Sequence, residues 1–382
     1  FRMNLFAYLI GLAALLAGSA LGQVTRLPGE SGGPSPAVIV KRGNLVHTKQ
    51  WLASDGESFG DLMERLSARL QAHGAGPDEV VKLNVYVGSA EDVAVEAAWT
   101  GIREAFAEGR RPAVTLISTP LPEGASMGMD AVFLSKRDVE PSVIREGEDT
   151  AVAPAGRDLL QISGRAAKAE TLGEATRGTM AELLAVMAEL GGKPADVVQV
   201  KAFLQPMSDW ASADREIRTA FGDEAVPPVV YVEWTSTGLP TEIEMIAAAP
   251  ERMDTKETVS YFTPTGDKTS PVFSRVARIH GDTVIYMGSL IGPESSTAET
   301  EVKGAFDRLA ELLKQTGSDF RHLAKATYYV SDDAASKAHN AIRPTLFDPA
   351  RPPAASKITL RTVGGKGNGL LMEFIAVPVS HP

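Results

Sequence analysis

The chain reads as an α+β protein built from three tandem units of one kind, and three observations carry that reading. Helix-like stretches end at Gly74, Gly191 and Gly317, each followed by a short run leading into an apolar strand. The junctions read HGAGPDEVVKLNVYV, LGGKPADVVQVKAFL and TGSDFRHLAKATYYV. After each comes a second helical stretch ending at Phe, a proline-bearing link and a β-rich closing segment. The period of roughly 120 residues far exceeds the 20 to 50 of a solenoid, so whole domains are repeated.

In the first unit, Leu62, Leu66 and Leu70 place one apolar face on a helix over 59–72. Val81, Leu83, Val85 and Val87 alternate with polar residues, the pattern of a half-buried strand. Helical character returns over 91–106, and 112–118 and 125–134 supply the closing strands. The second unit repeats this with helices over 175–190 and 210–221 and strands over 197–204, 229–234 and 241–247. The third has helices over 299–314 and 335–347, with Pro344 near the end of the latter. Its strands lie over 324–330, 358–360 and 370–377. Opening strands are expected at 37–40 and 45–47, at 159–164 and at 284–289. The expected domains are therefore 37–138, 145–250 and 258–380, with 251–257 as a linker.

A net charge of −10 and a pI near 5.3 disfavour nucleic acid as a partner, because phosphate binding needs a positive surface. The absence of cysteine excludes disulfides, thiol catalysis and thiolate metal sites. His47, His73, His280, His322, His339 and His381 are scattered without metal-ligand spacing. No metal or other cofactor is expected. The segment 364–369, GGKGNG, lacks the spacing of a phosphate loop and reads as a flexible hairpin.

Arg2 precedes an apolar run over 5–22, the pattern of an export signal or of a short membrane anchor. The preferred reading is an uncleaved anchor holding an extracytoplasmic (periplasmic) protein at the inner membrane. A cleaved signal peptide ending near Gly22 is the alternative. The Gly- and Pro-rich residues 23–36 then read as a flexible tether.

The closing segments carry a family resemblance. The second unit has Pro227-Pro228-Val229-Val230, then Leu239-Pro240, then TEIEMIA over 241–247. The first has Pro112-Ala113-Val114-Thr115, Leu121-Pro122 and MGMDAV over 127–132, and the third has Pro353-Ala354-Ala355-Ser356 and LLMEFIAV over 370–377. This order resembles the RidA family, also called YjgF or UK114. The resemblance implies chorismate-mutase-like domains, which in the family form homotrimers with clefts between subunits. Here it implies one chain folding as an intramolecular pseudo-trimer, with no obligate homotrimer.

Active relatives hydrolyse imines or enamines of amino acids, using an arginine fork for the substrate carboxylate and a glutamate for water. The arginine position maps onto Val114, Val229 and Ala355, and the glutamate position onto Gly128, Glu242 and Leu371. Only Glu242 survives, as a weak candidate base. Ser163, Gly164, Tyr286, Gly288 and Ser289 match the early cleft strand of the family. Arg165, Arg275, Arg278 and Lys357 are basic residues able to reach a cleft from elsewhere. Asp130, Glu244 and Glu373 recur at one register and read as structural, hydrogen-bonded to backbone. The loss of the arginine in every unit favours a non-catalytic, membrane-tethered scaffold or accessory subunit of a larger membrane complex. Trp51, Trp99, Trp210 and Trp234 are its candidate contact anchors. The alternatives are an imine or enamine deaminase with a modified cleft and a small-metabolite binding protein.

Overall fold

The computed structural model describes residues 23–381 except 42, 90, 140, 237, 294–296 and 364–368. The apolar run over 5–22 and most of the glycine-rich 364–369 segment therefore lie outside the described residues. Among those described, no helix is long and apolar enough to cross a membrane.

Helix α1 (Phe59–Ala72) starts where Ser58 and Asp61 form a reciprocal capping box and buries Phe59, Leu62, Leu66 and Leu70. Gly74, at φ +64°, supplies the left-handed turn that ends it. A single tight turn then feeds strand β5 (Val80–Val87), and α2 (Asp92–Ala105) leads to β6 (Ala113–Ser118) and β7 (Met127–Ser135). The second set is α3 (Leu172–Glu189), β11 (Val197–Leu204), α4 (Trp210–Phe221), β12 (Val229–Glu233) and β13 (Thr241–Ala248). The third is α5 (Ala298–Gln315), β17 (Leu323–Val330), α6 (Asp333–Leu346), β18 (Ala354–Thr359) and β19 (Leu370–Ala376). Within each set the central strand pairs parallel with the strand after the second helix and antiparallel with the closing strand.

The remaining strands are β1 (Val24–Arg26), β2 (Ala37–Lys41), β3 (Asn44–Thr48), β4 (Trp51–Leu52), β8 (Ile144–Glu146) and β9 (Thr150–Ala153). They continue with β10 (Leu159–Arg165), β14 (Val259–Phe262), β15 (Val276–Ile279) and β16 (Thr283–Met287). The three sheets share one strand order, β6-β5-β7-β3-β9-β8, β12-β11-β13-β10-β15-β14 and β18-β17-β19-β16-β2-β1. In the first two, the last two strands come from the next stretch of chain; in the third they come from the start of the described chain. β9 leaves β3 and the chain continues as β10 in the second sheet, while β15 pairs with β10 before β16 enters the third. The ring closes because β2, near the start of the described chain, pairs antiparallel with β16, the first strand of the third set.

This exchange revises the domain boundaries expected from sequence. Ala37–Lys41 belongs to the third sheet, Ile144–Ala153 to the first and Val259–Ile279 to the second. The expected tether over 23–36 is also partly ordered strand, since β1 pairs with β2. The physical reason is the shortness of the links: β2 and β3 are two residues apart in sequence, yet they enter different sheets. Pairing partners so distant in sequence leave no periodic signal.

The helices cover one face of each sheet, giving three outer cores around Leu66, Met187 and Phe306. The opposite faces meet in a shared apolar layer containing Val38, Val81, Val132, Val198, Ile279 and Ala324. A second shared layer contains Tyr86, Phe203, Trp234, Tyr329 and Leu371. β5, β11 and β17 are thus buried on both faces, not half-buried as their alternation suggests. Truncation to begin at Asn44 is expected to speed amide hydrogen exchange at Thr283–Met287 and to leave Asn44–Thr48 protected by β7 and β9. The reverse pattern would place β2 against β3 instead.

Candidate functional site

Between the two shared apolar layers lies a charged one. A bulge near the start of each central strand, at Val80/Lys82, Val197/Gln199 and Leu323/Lys325, turns the following residues toward the centre. Lys82 Nζ lies 3.0 Å from Glu373 Oε2 and donates to Thr115 Oγ1 at 2.5 Å and to the Met287 carbonyl at 3.0 Å. Lys325 pairs with Glu244, whose carboxylate also accepts from the Ser356 hydroxyl. Lys201 donates to Tyr329 Oη at 2.9 Å and lies 3.6 Å from Glu373 Oε1. Asp130 accepts from Tyr86 Oη at 2.6 Å and from Asn84 Nδ2 at 2.9 Å.

Burial pushes the Glu373 carboxyl up, but Lys82 and Lys201 outweigh it and hold the group well below the usual carboxylate range. Asp130 lacks so close a cation, and burial raises it. His47, facing the same central cavity of about 70 Å³, is pushed down to about 4 by burial and is neutral. These groups compensate one another in an enclosed space, so the layer is structural. The partners of the recurring carboxylates are lysine, tyrosine, asparagine and serine side chains, not the backbone groups expected.

The family-derived positions fall at matching places in the three sheets. Val114, Val229 and Ala355 stand opposite Leu83, Val200 and Ala326 on the central strands. Gly128, Glu242 and Leu371 stand opposite Tyr86, Phe203 and Tyr329. Each junction between sheets therefore brings one member of each set near the other, and the three junctions have diverged.

Where the first and second sheets meet, Gln50 fills the space. Its backbone N–H donates to the Val229 carbonyl at 3.1 Å, and its side-chain amide exchanges hydrogen bonds with the Tyr231 backbone at 3.0 and 3.2 Å. Leu52 packs so close to Gly128 that a Cβ there would stand 3.1 Å from its Cδ2.

Where the second and third sheets meet, a cleft of about 400 Å³ remains open, lined by Gly164, Arg165, Glu242, Arg275, Arg343, Ala355 and Lys357 among others. Glu242 is half-buried, and a Cβ on Gly164 would sit 2.0 Å from its Oε1, so only glycine at that position admits the carboxylate. Burial and then Glu244 raise the Glu242 carboxyl to about 7, against the pull of Lys325 and Arg275. Arg165 is tied to Asp267 and, at 3.2 Å, to Glu182. Arg275 lies over the Phe273 ring and 3.4 Å from Asp267, and its Nε has no hydrogen-bond partner. Arg343 lies over the Tyr328 ring, and its Nε has no hydrogen-bond partner. Burial and Arg343 lower Lys357 to about 8, while its ammonium donates to Ser336 Oγ at 2.7 Å and Asn340 Oδ1 at 3.1 Å.

Other expected residues lie elsewhere. Ser163 Oγ donates to the Ser274 carbonyl and accepts from Ala355 N at 2.8 Å, so it joins two sheets rather than facing a ligand. Tyr286 lines the central cavity, whereas Gly288 and Ser289 line a third junction, between the third and first sheets. Arg278 is bound to Asp158 at 2.8 Å, outside the cleft. Asp158 also holds His280 Nδ1 at 2.7 Å, with Ser260 Oγ 2.7 Å from His280 Nε2. That order matches a hydrolytic triad, but Arg278 already neutralises Asp158 and His280 is 2% exposed, so the group clasps β10, β14 and β15. Sequence reasoning missed Arg343 and the lysines. Arg343 lies on α6, where it reads as a surface charge. No cluster of His, Asp and Glu suited to a metal is found among the described residues.

Known proteins agree with one segment of this reading. Residues 150–249 match the family model described as Endoribonuclease L-PSP, which places a YjgF/RidA-type domain over the second unit. The chain matches no curated protein. Among solved structures, it is similar to NMB1025 of the YjgF family from Neisseria meningitidis, at 18% identity over 32% of this chain and 98% of that one, with a TM-score of 0.24. It is also similar to Rv2704 from Mycobacterium tuberculosis, of the YjgF/YER057c/UK114 family, at 19% identity over 31% and 98%, with a TM-score of 0.23. Yeast Mmf1 gives 16% identity over 33% and 97%, with a TM-score of 0.24.

Replacing Lys82 by Met would strand Glu373 with Lys201 alone, at a cost of about 3 to 5 kcal/mol. Urea denaturation of Lys82→Met, compared with the double variant Lys82→Met/Glu373→Leu, should show most of that loss recovered in the double. Equal losses in both would mean that the pair itself contributes nothing.

Proposed function

We propose that the chain is a covalent pseudo-trimer of RidA-like units, whose cleft between the second and third units binds a small carboxylate and hydrolyses its imine or enamine. The observation that supports this best is a carboxyl held near 7 beside several cations, at the junction where the family arginine position is Ala355. The arginine missing at 355 is replaced in function by groups from other segments. Arg275 and Arg343 flank the space; Arg275 shares Asp267 with Arg165, and Arg343 lies over the Tyr328 ring. A substrate carboxylate takes a guanidinium fork there.

The chemistry then follows from Glu242. Its ionised form removes a proton from water as the oxygen bonds to the imine carbon, giving a carbinolamine. Its protonated form returns that proton to nitrogen; the carboxylate then takes the carbinolamine hydroxyl proton and passes it to nitrogen as C=O forms and the C–N bond breaks, and a 2-oxo acid and ammonia leave. An enamine first takes a proton on carbon to become the imine. Base catalysis requires the ionised carboxylate, so the rate rises as pH passes about 7, not the ordinary range near 4. The name of the matched family model points to RNA cleavage, but the charge of −10 gives no support to a polyanionic substrate.

The scaffold reading draws on the absent arginine at Val114, Val229 and Ala355 and on the closed first junction. It gains little from the tryptophans: Trp51 and Trp234 are buried, and Trp99 and Trp210 are half-buried. Tethering by residues 5–22 at the outer face of the inner membrane remains part of the proposal and is compatible with either role. The test is incubation with 2-aminoacrylate and detection of pyruvate and ammonia. Glu242→Gln is expected to lower turnover by about 100-fold or more, and Arg275→Gln to raise KM. Turnover absent from the native chain would leave the scaffold as the better account, and turnover unchanged in Glu242→Gln would remove Glu242 from the reaction.

A further inference from the structure

We propose that Lys357 is a nucleophilic amine, which captures a small aldehyde in the cleft between the second and third sheets as a covalent C=N adduct. The proposed deamination makes no use of this side chain. Lys357 stands on β18 opposite Tyr328 of β17, and it lines the cleft of about 400 Å³. Helix α6 brings Ser336 and Asn340, one turn apart, to its amine, with Arg343 on the following turn. Nζ donates to Ser336 Oγ at 2.7 Å and to Asn340 Oδ1 at 3.1 Å. The next acceptor, the Ser336 carbonyl, stands at 3.5 Å, beyond the usual hydrogen-bond range. Lys357 forms no ion pair with a carboxylate among the described residues, whereas Lys82, Lys201 and Lys325 all do.

These surroundings suit an amine better than an ammonium. Two neutral acceptors match the two N–H bonds of the amine and leave its lone pair uncommitted. The charged groups sharing the cleft are Arg343 on α6, Arg165 on β10, Arg275 just before β15, Glu182 on α3 and Glu242 on β13. Of these, Arg343 is the one that acts on Lys357; burial and then Arg343 lower the amine to about 8. A lysine withdrawn from water beside another cation becomes a nucleophile near neutral pH. Gly164, Ala166 and Ala355 are small and leave room for the incoming carbonyl. The nitrogen bonds to the carbonyl carbon, both N–H protons of the amine pass to the oxygen, and water leaves. An aldehyde, with one hydrogen on that carbon, is less hindered and more electrophilic than a ketone, which makes it the fitting partner.

The test is reductive trapping of the full chain with propanal and cyanoborohydride, the labelled sites being mapped by peptide mass spectrometry. At about pH 7, Lys357 is expected to acquire the propyl group at least about tenfold faster than Lys337, the exposed residue after Ser336 on α6. That excess should shrink as pH is raised toward about 10, where ordinary lysines also shed their proton. Arg343→Gln should slow labelling of Lys357 at about pH 7 by roughly threefold or more, because the repelling charge is gone. Mapping the native chain needs no variant to fold. Trapping also needs no turnover, so it can succeed where the reaction proposed at Glu242 fails, and the reverse. Labelling of Lys357 no faster than that of Lys337, an excess independent of pH, or an unchanged rate in Arg343→Gln would each overturn the proposal.

Discussion

Every sheet in this molecule is completed by strands borrowed from another unit's stretch of chain, and this backbone constraint determines where the clefts fall and what lines them. The segment just before each borrowed strand must run past a junction between sheets. Arg275 directly precedes β15 and so reaches the cleft that holds Glu242. The 28–36 segment precedes β2 and so lines the junction containing Arg111. Asp149 precedes β9 at the junction filled by Gln50, where its carboxylate pairs with Lys49 at 2.9 Å and its carbonyl accepts from Lys49 N at 2.8 Å. One topology has thus delivered a cation, a loop and a plug to three equivalent places.

The centre shows how a buried charged layer is tolerated. Three lysines and three carboxylates lie between apolar layers, where an unpaired charge would cost several kcal/mol. The lysines are not placed symmetrically. Lys82 and Lys325 occupy one register position, where the second unit has Gln199, and Lys201 lies two residues further along its strand. The shorter Asp130 is bonded instead to Tyr86 and Asn84. Linking the units in one chain permits such asymmetry, since each position can change alone, and it makes assembly independent of concentration.

Much of the fold was legible because it is local. The leucine spacing over 59–72 and the apolar spacing over 210–221 gave both helices their observed limits, and the glycine stops at 74, 191 and 317 fall at positive φ. Val114, Val229 and Ala355 stand at matching places on their strands in the three sheets. Strands β8, β9, β14 and β15 were not legible, because their partners lie outside their own unit. Lys82, Lys201 and Lys325 alternate with apolar residues and so look like a solvated face, which only a third dimension can show to be enclosed. Arg275 could be named as a basic residue able to reach a cleft, but not assigned to Glu242, since that contact depends on the exchanged strand.

The proposed chemistry turns on one side chain whose surroundings raise its proton affinity. The raised value arises from burial and from the neighbouring Glu244, with Lys325, the Ser356 hydroxyl and Arg275 opposing it. The most direct measurement is a carbon-13 NMR titration of the side-chain carboxyl of Glu242, assigned by its loss in Glu242→Gln. A midpoint near 7 is the expected result. A midpoint near the ordinary glutamate value of about 4.3 would mark a solvated carboxylate and contradict the account.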